Sequence, residues 1–180
     1  MKRKKKLLIV VDYQNDFVVG SMGFPAAEKI EDAIAEKITE YRKMESTGQI
    51  IFTMDTHDKN YSNTYEGKVN PVEHCIDGLD GWQLYGKVAK LKSHEDYVFS
   101  KNTYGSLDLG DYLRNREDDY FSVEFAGVIT NICVISNVII AKTAMPNVPI
   151  YADTKCMAGD NKALEKAALD VMKSIHVNII

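Results

Sequence analysis

This sequence has little cysteine and no long apolar segment. Its 180 residues contain three cysteines, a small and odd number that fits a reducing cytoplasm better than a framework of disulfides. The first apolar run, Leu7 to Val11, ends at Asp12 and is too short for the core of a signal peptide. No later segment approaches the roughly 20 apolar residues of a membrane-spanning helix. We therefore expect a cytoplasmic protein with no membrane partner.

The sequence also lacks an excess of positive charge. It has 22 lysines and arginines against 26 aspartates and glutamates, a net charge of -4, which argues against nucleic acid as the main partner. The one basic run, Lys2 to Lys6, precedes the first apolar run, and we interpret residues 1–6 as a solvated tail. The hydrophobic content of 45% is enough for an ordinary core, so we predict a single domain over residues 1–180.

Short apolar runs alternate with helical patterns along the chain. This order predicts a three-layer α/β/α fold, in which helices cover both faces of a mostly parallel central sheet. Residues 55–82 form a long connection with little periodicity, and such connections are usually functional or disordered. The predicted strands are Leu7–Val11, Ile50–Met54, Tyr97–Ser100, Ser122–Gly127, Val148–Ala152 and Val177–Ile180, and the predicted helices are Pro25–Ser46, Leu84–Leu91, Asp108–Asn115, Asn131–Ala144 and Asn161–Ser174.

Reactive side chains follow the predicted strands at their carboxyl ends. Asp12, Asp55 and Lys101 come directly after the first three strands, and Cys133 lies at the start of the helix after the fourth. In a parallel sheet these points share one edge, where ligands bind. Cys133 is the best candidate for a nucleophile, because a helix N-terminus and a nearby lysine favour the thiolate. Each of these residues also has an alternative interpretation when taken singly. Cys133 could be a small buried apolar residue. Asp12 could be a turn residue at a strand end, and Lys101 a solvated surface residue.

Two carboxylates and two imidazoles occur close together in the long connection. Asp55 and His57 are two residues apart at a strand end, so their side chains leave on the same face. Glu66 and His74 follow within the same connection. These four side chains would balance the charge of a divalent first-row cation and fill most of an octahedron. The alternative is a polar loop with two unrelated histidines.

Three segments resemble the signature segments of the isochorismatase-like cysteine hydrolases. They are Val10 to Phe17, Phe99 to Tyr104 and Gly127 to Val134, and the resemblance extends from about Leu7 to Ile180. It implies a catalytic triad of Asp12, Lys101 and Cys133. The connection between the first two segments is similar to the metal site of the nicotinamidase branch, which implies that Asp55, His57, Glu66 and His74 bind one divalent transition metal ion, zinc first, with manganese or iron as alternatives.

The same resemblance implies several features around the nucleophile. The peptide bond between Val128 and Ile129 would be cis, and the N–H groups of Ile129 and Cys133 would face the oxyanion of the reaction. Phe17 and Tyr104 would flank a flat heteroaromatic substrate, although both also suit a core position. Ile129 stands where the family often has alanine, so it would narrow the pocket, and an asparagine replaces a frequent aspartate two residues later.

The expected reaction is hydrolysis of nicotinamide to nicotinate and ammonia through a cysteine thioester, with a small-molecule amide as substrate. One alternative is another cysteine hydrolase of the superfamily acting on a different amide, carbamoyl or ureido substrate, although such relatives usually lack the metal ligands. A lesser alternative is a non-catalytic binding protein on the same fold. The resemblance also implies a homo-oligomer, either a dimer or a tetramer.

Overall fold

Six parallel strands form one sheet in the computed structural model, which describes residues 3–180. Met1 and Lys2, at the start of the predicted tail, lie outside the described residues, and the first strand begins two residues before its predicted start. The strands are β1 (Lys5–Val11), β2 (Gly48–Asp55), β3 (Tyr97–Lys101), β4 (Tyr120–Val128), β5 (Ile150–Ala158) and β6 (Asn178–Ile179), in the order β3-β2-β1-β4-β5-β6. The helices are α1 (Asn15–Val18), α2 (Pro25–Lys29), α3 (Glu31–Lys43), α4 (Tyr65–Val69), α5 (Gly86–Leu91), α6 (Leu107–Arg114), α7 (Ile135–Ala144) and α8 (Lys162–Ser174).

Apolar side chains are buried on both faces of the sheet. In β1, Leu7, Ile9 and Val11 belong to the core that α6, α7 and α8 cover. Leu8 and Val10 belong to the opposite core, which α2, α3 and α5 cover. Successive side chains of a strand point to opposite faces, so a continuous apolar run fits a strand covered on both sides. The predicted three-layer α/β/α fold with a parallel sheet is confirmed.

The strand order reverses direction at β1, the kind of position at which parallel sheets have a crevice. The chain moves outward from β1 through β2 to β3, and then returns to place β4 on the other side of β1. Ligands of parallel sheets bind beside the carboxyl ends of the strands at such a point. Gly127 lets β4 approach β1 closely there, because a Cβ atom on it would lie 2.1 Å from the Val11 carbonyl oxygen, and its φ of +116° favours glycine.

The predicted single helix from Pro25 to Ser46 is wrong. The segment forms two helices, α2 and α3, separated at Ile30, whose dihedral angles of φ -92° and ψ -1° depart from helical values. The hydroxyl group of Tyr13 donates a hydrogen bond of 2.7 Å to the Ala27 carbonyl, the acceptor that the Glu31 N–H would use in a continuous helix. The buried tyrosine therefore replaces a helical hydrogen bond at the break.

The fifth strand extends six residues beyond its predicted end at Ala152. Its register with β4 is irregular, since Ala152 pairs with Phe125 whereas Met157 pairs with Gly127. The bulged segment between them contains Asp153, a residue that ends many strands. Here the Lys37 ammonium of α3 lies 2.6 Å from the Asp153 carboxylate, and this ion pair lets the acidic residue remain inside the strand.

The helices are short, and the longest, α3 and α8, have 13 residues each. Across residues 3–180, none combines the length and the apolar character that crossing a membrane requires.

Candidate active site

The side chains predicted to react lie together at the carboxyl edge of the sheet. Asp12 directly follows β1, Asp55 and Lys101 end β2 and β3, and Cys133 lies in the turn after β4. Asp55 and Lys101 are direct partners in the register of the two strands. All four residues are buried, with at most 7% of their surface exposed. The parallel register thus collects four groups from distant points of the chain.

The Lys101 ammonium links the carboxylate of Asp12 to the thiol of Cys133. Its Nζ atom lies 2.6 Å from Asp12 Oδ2 and 3.8 Å from Cys133 Sγ. The Thr53 hydroxyl group donates a hydrogen bond of 2.7 Å to the other carboxylate oxygen, Asp12 Oδ1. Asp12 is therefore held from two sides, and Lys101 is not the solvated surface residue that was the alternative from sequence.

Burial is the largest influence on the pKa values of this group. It raises the pKa of Asp12, against the opposing effect of the Lys101 charge. Burial and the Asp12 charge also raise the pKa of the Cys133 thiol well above its ordinary value, although Lys101 acts in the opposite direction. Burial favours a neutral Lys101, but the charges of Asp12, Cys133 and Asp55 together with the hydrogen bond to Asp12 outweigh it and raise the lysine pKa. Burial and the Asp12 carboxylate therefore oppose the predicted thiolate in the free protein, whereas Lys101 favours it.

Cys133 lies in a turn of π-helical geometry, Thr130–Val134, rather than on the first turn of an α-helix. The N–H group of the last residue in this turn donates to the Ile129 carbonyl, five residues back, over 3.2 Å. The α-helix begins only at Ile135, four residues later than predicted. The wider turn presents the thiol at the end of β4, on the side of Lys101.

The peptide bond between Val128 and Ile129 is cis, as the family resemblance implies. Ile129 is buried with 5% of its surface exposed, and it directly precedes the turn that contains Cys133. The use of the Ile129 and Cys133 N–H groups to bind an oxyanion stays a prediction.

A group of three potential metal ligands lies beside the triad. Asp55, His57 and His74 each offer one atom, and these atoms lie within 4.8 Å of one another. Asp55 Oδ2 is 3.0 Å from Nε2 of His57 and 3.4 Å from Nε2 of His74. Given bonds of about 2.0–2.1 Å, donor atoms bound to one zinc ion are separated by about 3.3–3.4 Å at tetrahedral angles and about 2.8–3.0 Å at right angles. His74 Nδ1 lies 2.8 Å from the Val72 carbonyl oxygen, and a hydrogen bond donated there would leave the Nε2 lone pair for an ion. The donor set therefore fits a divalent metal ion.

Glu66, the fourth predicted ligand, lies at the margin of this group. Its Oε1 atom is 3.9 Å from His74 Nε2, and 20% of its side chain is exposed. It belongs to α4, the short helix that begins after Thr64, whose hydroxyl group accepts a hydrogen bond of 3.0 Å from the Gly67 N–H. Ligation by Glu66 stays a prediction.

Lys101 also contacts the metal-ligand group. Its Nζ atom lies 3.4 Å from Asp55 Oδ1. Burial by itself would raise the pKa of Asp55, but hydrogen bonds from His57 and His74 and the charge of Lys101 hold that pKa below its usual range. Asp55 is therefore an anion, available to a metal through one oxygen while the other faces the lysine. The two parts of the site are thus adjacent.

The residues predicted to contact substrate lie around this centre. Phe17 is buried in α1, and its ring centroid is 5.5 Å from that of His74. Tyr104 has 47% of its surface exposed, and burial together with the charges of Glu66 and Cys133 raises its pKa. Phe17 is therefore beside the metal-ligand group, and Tyr104 is the more accessible aromatic residue. Binding of a substrate ring by either one stays a prediction.

Sequence reasoning missed three buried polar residues that hold the site. They are Thr53, which contacts Asp12, and two amides, Gln14 and Asn137, none of which has exposed surface. Asn137 Nδ2 donates hydrogen bonds of 2.8 Å to the Cys133 carbonyl and 3.1 Å to the Tyr104 carbonyl. A signal was present for Thr53 and Asn137, since each is a polar residue within an apolar stretch of a predicted strand or helix.

Comparison with known proteins is consistent with this geometry. The isochorismatase domain matches residues 6–180. An uncharacterised isochorismatase family protein, PncA of Bacillus subtilis (strain 168), is 33% identical, with 73% of this chain and 75% of that protein covered. The crystal structure of the nicotinamidase/pyrazinamidase PncA from Bacillus subtilis matches with a TM-score of 0.85 at 27% identity, covering 97% of this chain and 98% of the other. The pyrazinamidase of Pyrococcus horikoshii in complex with zinc matches with a TM-score of 0.83 at 25% identity, covering 98% of each chain.

Proposed function

Because this chain belongs to the isochorismatase family, we propose that it hydrolyses nicotinamide to nicotinate and ammonia. The chain is an amidohydrolase of the nicotinamidase branch, and its substrate is a small molecule. The observation that carries the choice of substrate is the adjacency of two groups, the triad around Lys101 and the three potential metal ligands, which meet where Lys101 lies 3.4 Å from Asp55. A pyridine carboxamide has one group for each part, a ring nitrogen for the ion and an amide for the thiol.

Acylation uses the groups that the sheet edge collects. Asp12 accepts the proton of Cys133, and the sulfur attacks the carboxamide carbon to form a C–S bond. The raised pKa of Asp12 suits it to this task, while the Lys101 cation stabilises the negative charge, first on Asp12 and then on the sulfur. The oxyanion is bound by the N–H groups of Ile129 and Cys133. Asp12 then returns the proton to the nitrogen, the C–N bond breaks, and ammonia leaves.

Deacylation uses the same base. Asp12 accepts a proton from a water molecule, whose oxygen attacks the thioester carbon. The C–S bond breaks, and the acid formed loses its remaining proton to solvent and leaves as nicotinate. The proton on Asp12 returns to the Cys133 sulfur, so the protein ends in its initial state. Phe17 and Tyr104 flank the ring and keep the reacting carbon near the thiol.

Asp55, His57 and His74, with Glu66 as a fourth ligand, would hold a divalent metal ion, zinc in our proposal and otherwise manganese or iron. When bound, the ion would supply a Lewis-acidic site for the pyridine nitrogen and orient the amide.

We further propose that the protein works in the cytoplasm as a homodimer or homotetramer. All three cysteines are free and buried, which suits a reducing compartment. Large apolar side chains near the site are exposed, among them Tyr65 at 85% and Leu107 at 77%, and these would suit contact with a second copy. Light scattering of the purified protein measures the assembly.

The test is ammonia release from nicotinamide by purified, metal-loaded protein. Cys133→Ala and a chelator-stripped sample are measured alongside, and zinc is returned to the stripped sample. The proposal expects release that disappears in both controls and recovers with zinc. A folded, metal-loaded protein that ignores nicotinamide but releases ammonia from another amide or a ureide would contradict the choice of substrate and leave the amidohydrolase chemistry in place.

A further inference from the structure

Gln14 makes three hydrogen bonds between the ends of the metal-binding connection. Its Nε2 atom donates to the Asp55 carbonyl at 2.8 Å and to the Trp82 carbonyl at 2.8 Å. Its Oε1 atom accepts from the Asp55 N–H at 2.8 Å. The side chain has no exposed surface, so water does not compete for these partners.

The amide of Gln14 acts on Asp55 as a neighbouring strand would. It satisfies both the N–H and the carbonyl of a residue at the very end of β2, where hydrogen bonding with β1 has ended. Gln14 itself follows catalytic Asp12 by two residues, and its own N–H donates to the Asp12 carbonyl at 2.8 Å. The position of Asp55 is thus tied directly to the turn that carries Asp12.

The two residues after Gln14 hold other points of the same connection. Asn15 Nδ2 donates to the Asp80 carbonyl at 2.8 Å. Asp16 Oδ2 accepts a hydrogen bond of 2.7 Å from the N–H of Cys75, the neighbour of His74. Gly81 leaves room for this carboxylate, because a Cβ atom on it would lie 2.1 Å from Asp16 Oδ2. Gln14 is the member of this segment that bonds to a metal ligand itself.

We propose that Gln14 is a positioning residue for the metal centre, which holds the Asp55 ligand in place relative to Asp12 and joins the two ends of the connection. The inference rests on the proposed use of Asp55 as a ligand. In metal sites, residues that hydrogen-bond to a ligand keep that ligand in position, and losing one typically weakens metal binding about 10- to 100-fold. We assign this role to Gln14.

The chain offers a matched control in Asn137, the other fully buried amide of the site. Asn137 donates to the carbonyls of Cys133 and Tyr104 and accepts from the Ser106 N–H, and none of its hydrogen bonds within residues 3–180 reaches a metal ligand. Gln14→Met and Asn137→Leu remove the amides while keeping side chains of similar size. Both variants, and the unchanged protein, are stripped of metal and checked for folding by circular dichroism and thermal unfolding.

Zinc affinity is then measured by competition with a chromophoric chelator, in the absence of any amide substrate. We expect the dissociation constant of Gln14→Met to rise about 10- to 100-fold, and that of Asn137→Leu to stay at the value of the unchanged protein. We also expect the visible absorption of the cobalt-loaded protein to change in Gln14→Met and to persist in Asn137→Leu. Equal zinc affinity in all three proteins, or an equal loss in both variants, would overturn the proposal.

If Gln14→Met does not fold, Gln14→Glu takes its place, since a glutamate keeps the acceptor for the Asp55 N–H but loses the donated bonds. A weaker zinc affinity in that variant supports the proposal, and an unchanged affinity overturns it. These measurements need no turnover, so a failure of the protein to hydrolyse nicotinamide would not be confused with a failure of this inference.

Discussion

The triad and the metal-ligand group are adjacent but built in different ways. Asp12 and Lys101 lie at strand ends, and Cys133 lies in the turn that follows a strand, so the sheet register places all three. The metal-ligand group combines one strand end with the long connection, and Glu66 at its margin keeps 20% of its side chain exposed. The difference indicates that the triad is formed by the sheet and the turn that follows β4. The metal-ligand group depends in addition on how the connection is held and, in our proposal, on the ion.

The largest expected effect is on the triad alone. Cys133→Ala removes the nucleophile, so we expect ammonia release to fall by about 10⁴-fold or more. Zinc content should stay unchanged, because Cys133 is not a ligand. The measurement is turnover together with metal analysis of the same sample. Cys156→Ala is the control, since Cys156 is equally buried but outside the site. Residual activity of one hundredth or more in Cys133→Ala would contradict the assignment of the nucleophile.

Lys101→Met should affect both the triad and the metal-ligand group, because the ammonium contacts Asp12 and Asp55. Removing it leaves buried carboxylates without their partner, and we expect a loss of about 3–5 kcal/mol in the free energy of unfolding, together with loss of activity. Chemical denaturation and turnover measure the two effects. Lys37→Met is the matched control, since Lys37 pairs with Glu124 and Asp153 far from the triad. It should lose stability and keep activity per folded molecule. If both variants keep their activity, Lys101 has no part in the reaction.

The next largest effect is on the zinc affinity of the metal-ligand group, which the following variants change without altering the triad. His74→Ala removes a ligand whose ring is oriented by the Val72 carbonyl, and we expect zinc affinity to fall more than about 100-fold. His94→Ala is the control, because His94 is exposed and outside the site. Glu66→Gln should weaken zinc binding by less than His74→Ala, since Glu66 lies at the margin of the group. Competition titration measures all three, and a loss in Glu66→Gln as large as that in His74→Ala would move Glu66 to the centre of the site.

The smallest expected effect is a dependence on pH in the free enzyme. Burial and the charge of Asp12 raise the pKa of Cys133 above its ordinary value. Below that pKa the thiol is protonated, so alkylation by iodoacetamide should be slow at pH 7 and rise about tenfold per pH unit through pH 9. Mass spectrometry of the peptide that contains Cys133 measures the rate. A rate that is already constant below pH 7 would show a stabilised thiolate instead.

The apolar pattern was sufficient to predict the layers, and all six strands lie close to their predicted places. It failed where a distant residue intervenes. The helix break at Ile30 follows from the Tyr13 hydroxyl group, which bonds to the Ala27 carbonyl across 14 positions of the chain. The extension of β5 follows from Lys37, which lies on another layer. Neither Tyr13 nor Lys37 could be predicted as a partner from the local sequence around the residue that it contacts.

The sequence alone determined the class of fold, the edge of the sheet where the reacting groups meet, and the chemical identity of those groups, because these depend on local periodicity and on residue type. Only the tertiary structure decided the direction in which the pKa of Cys133 is shifted, the placement of Glu66 at the margin and the holding of Asp55 by Gln14. Each depends on burial or on a contact between distant residues, such as the 41 positions that separate Gln14 from Asp55. Burial changes the free energy of a charge, and it is a property of the whole fold.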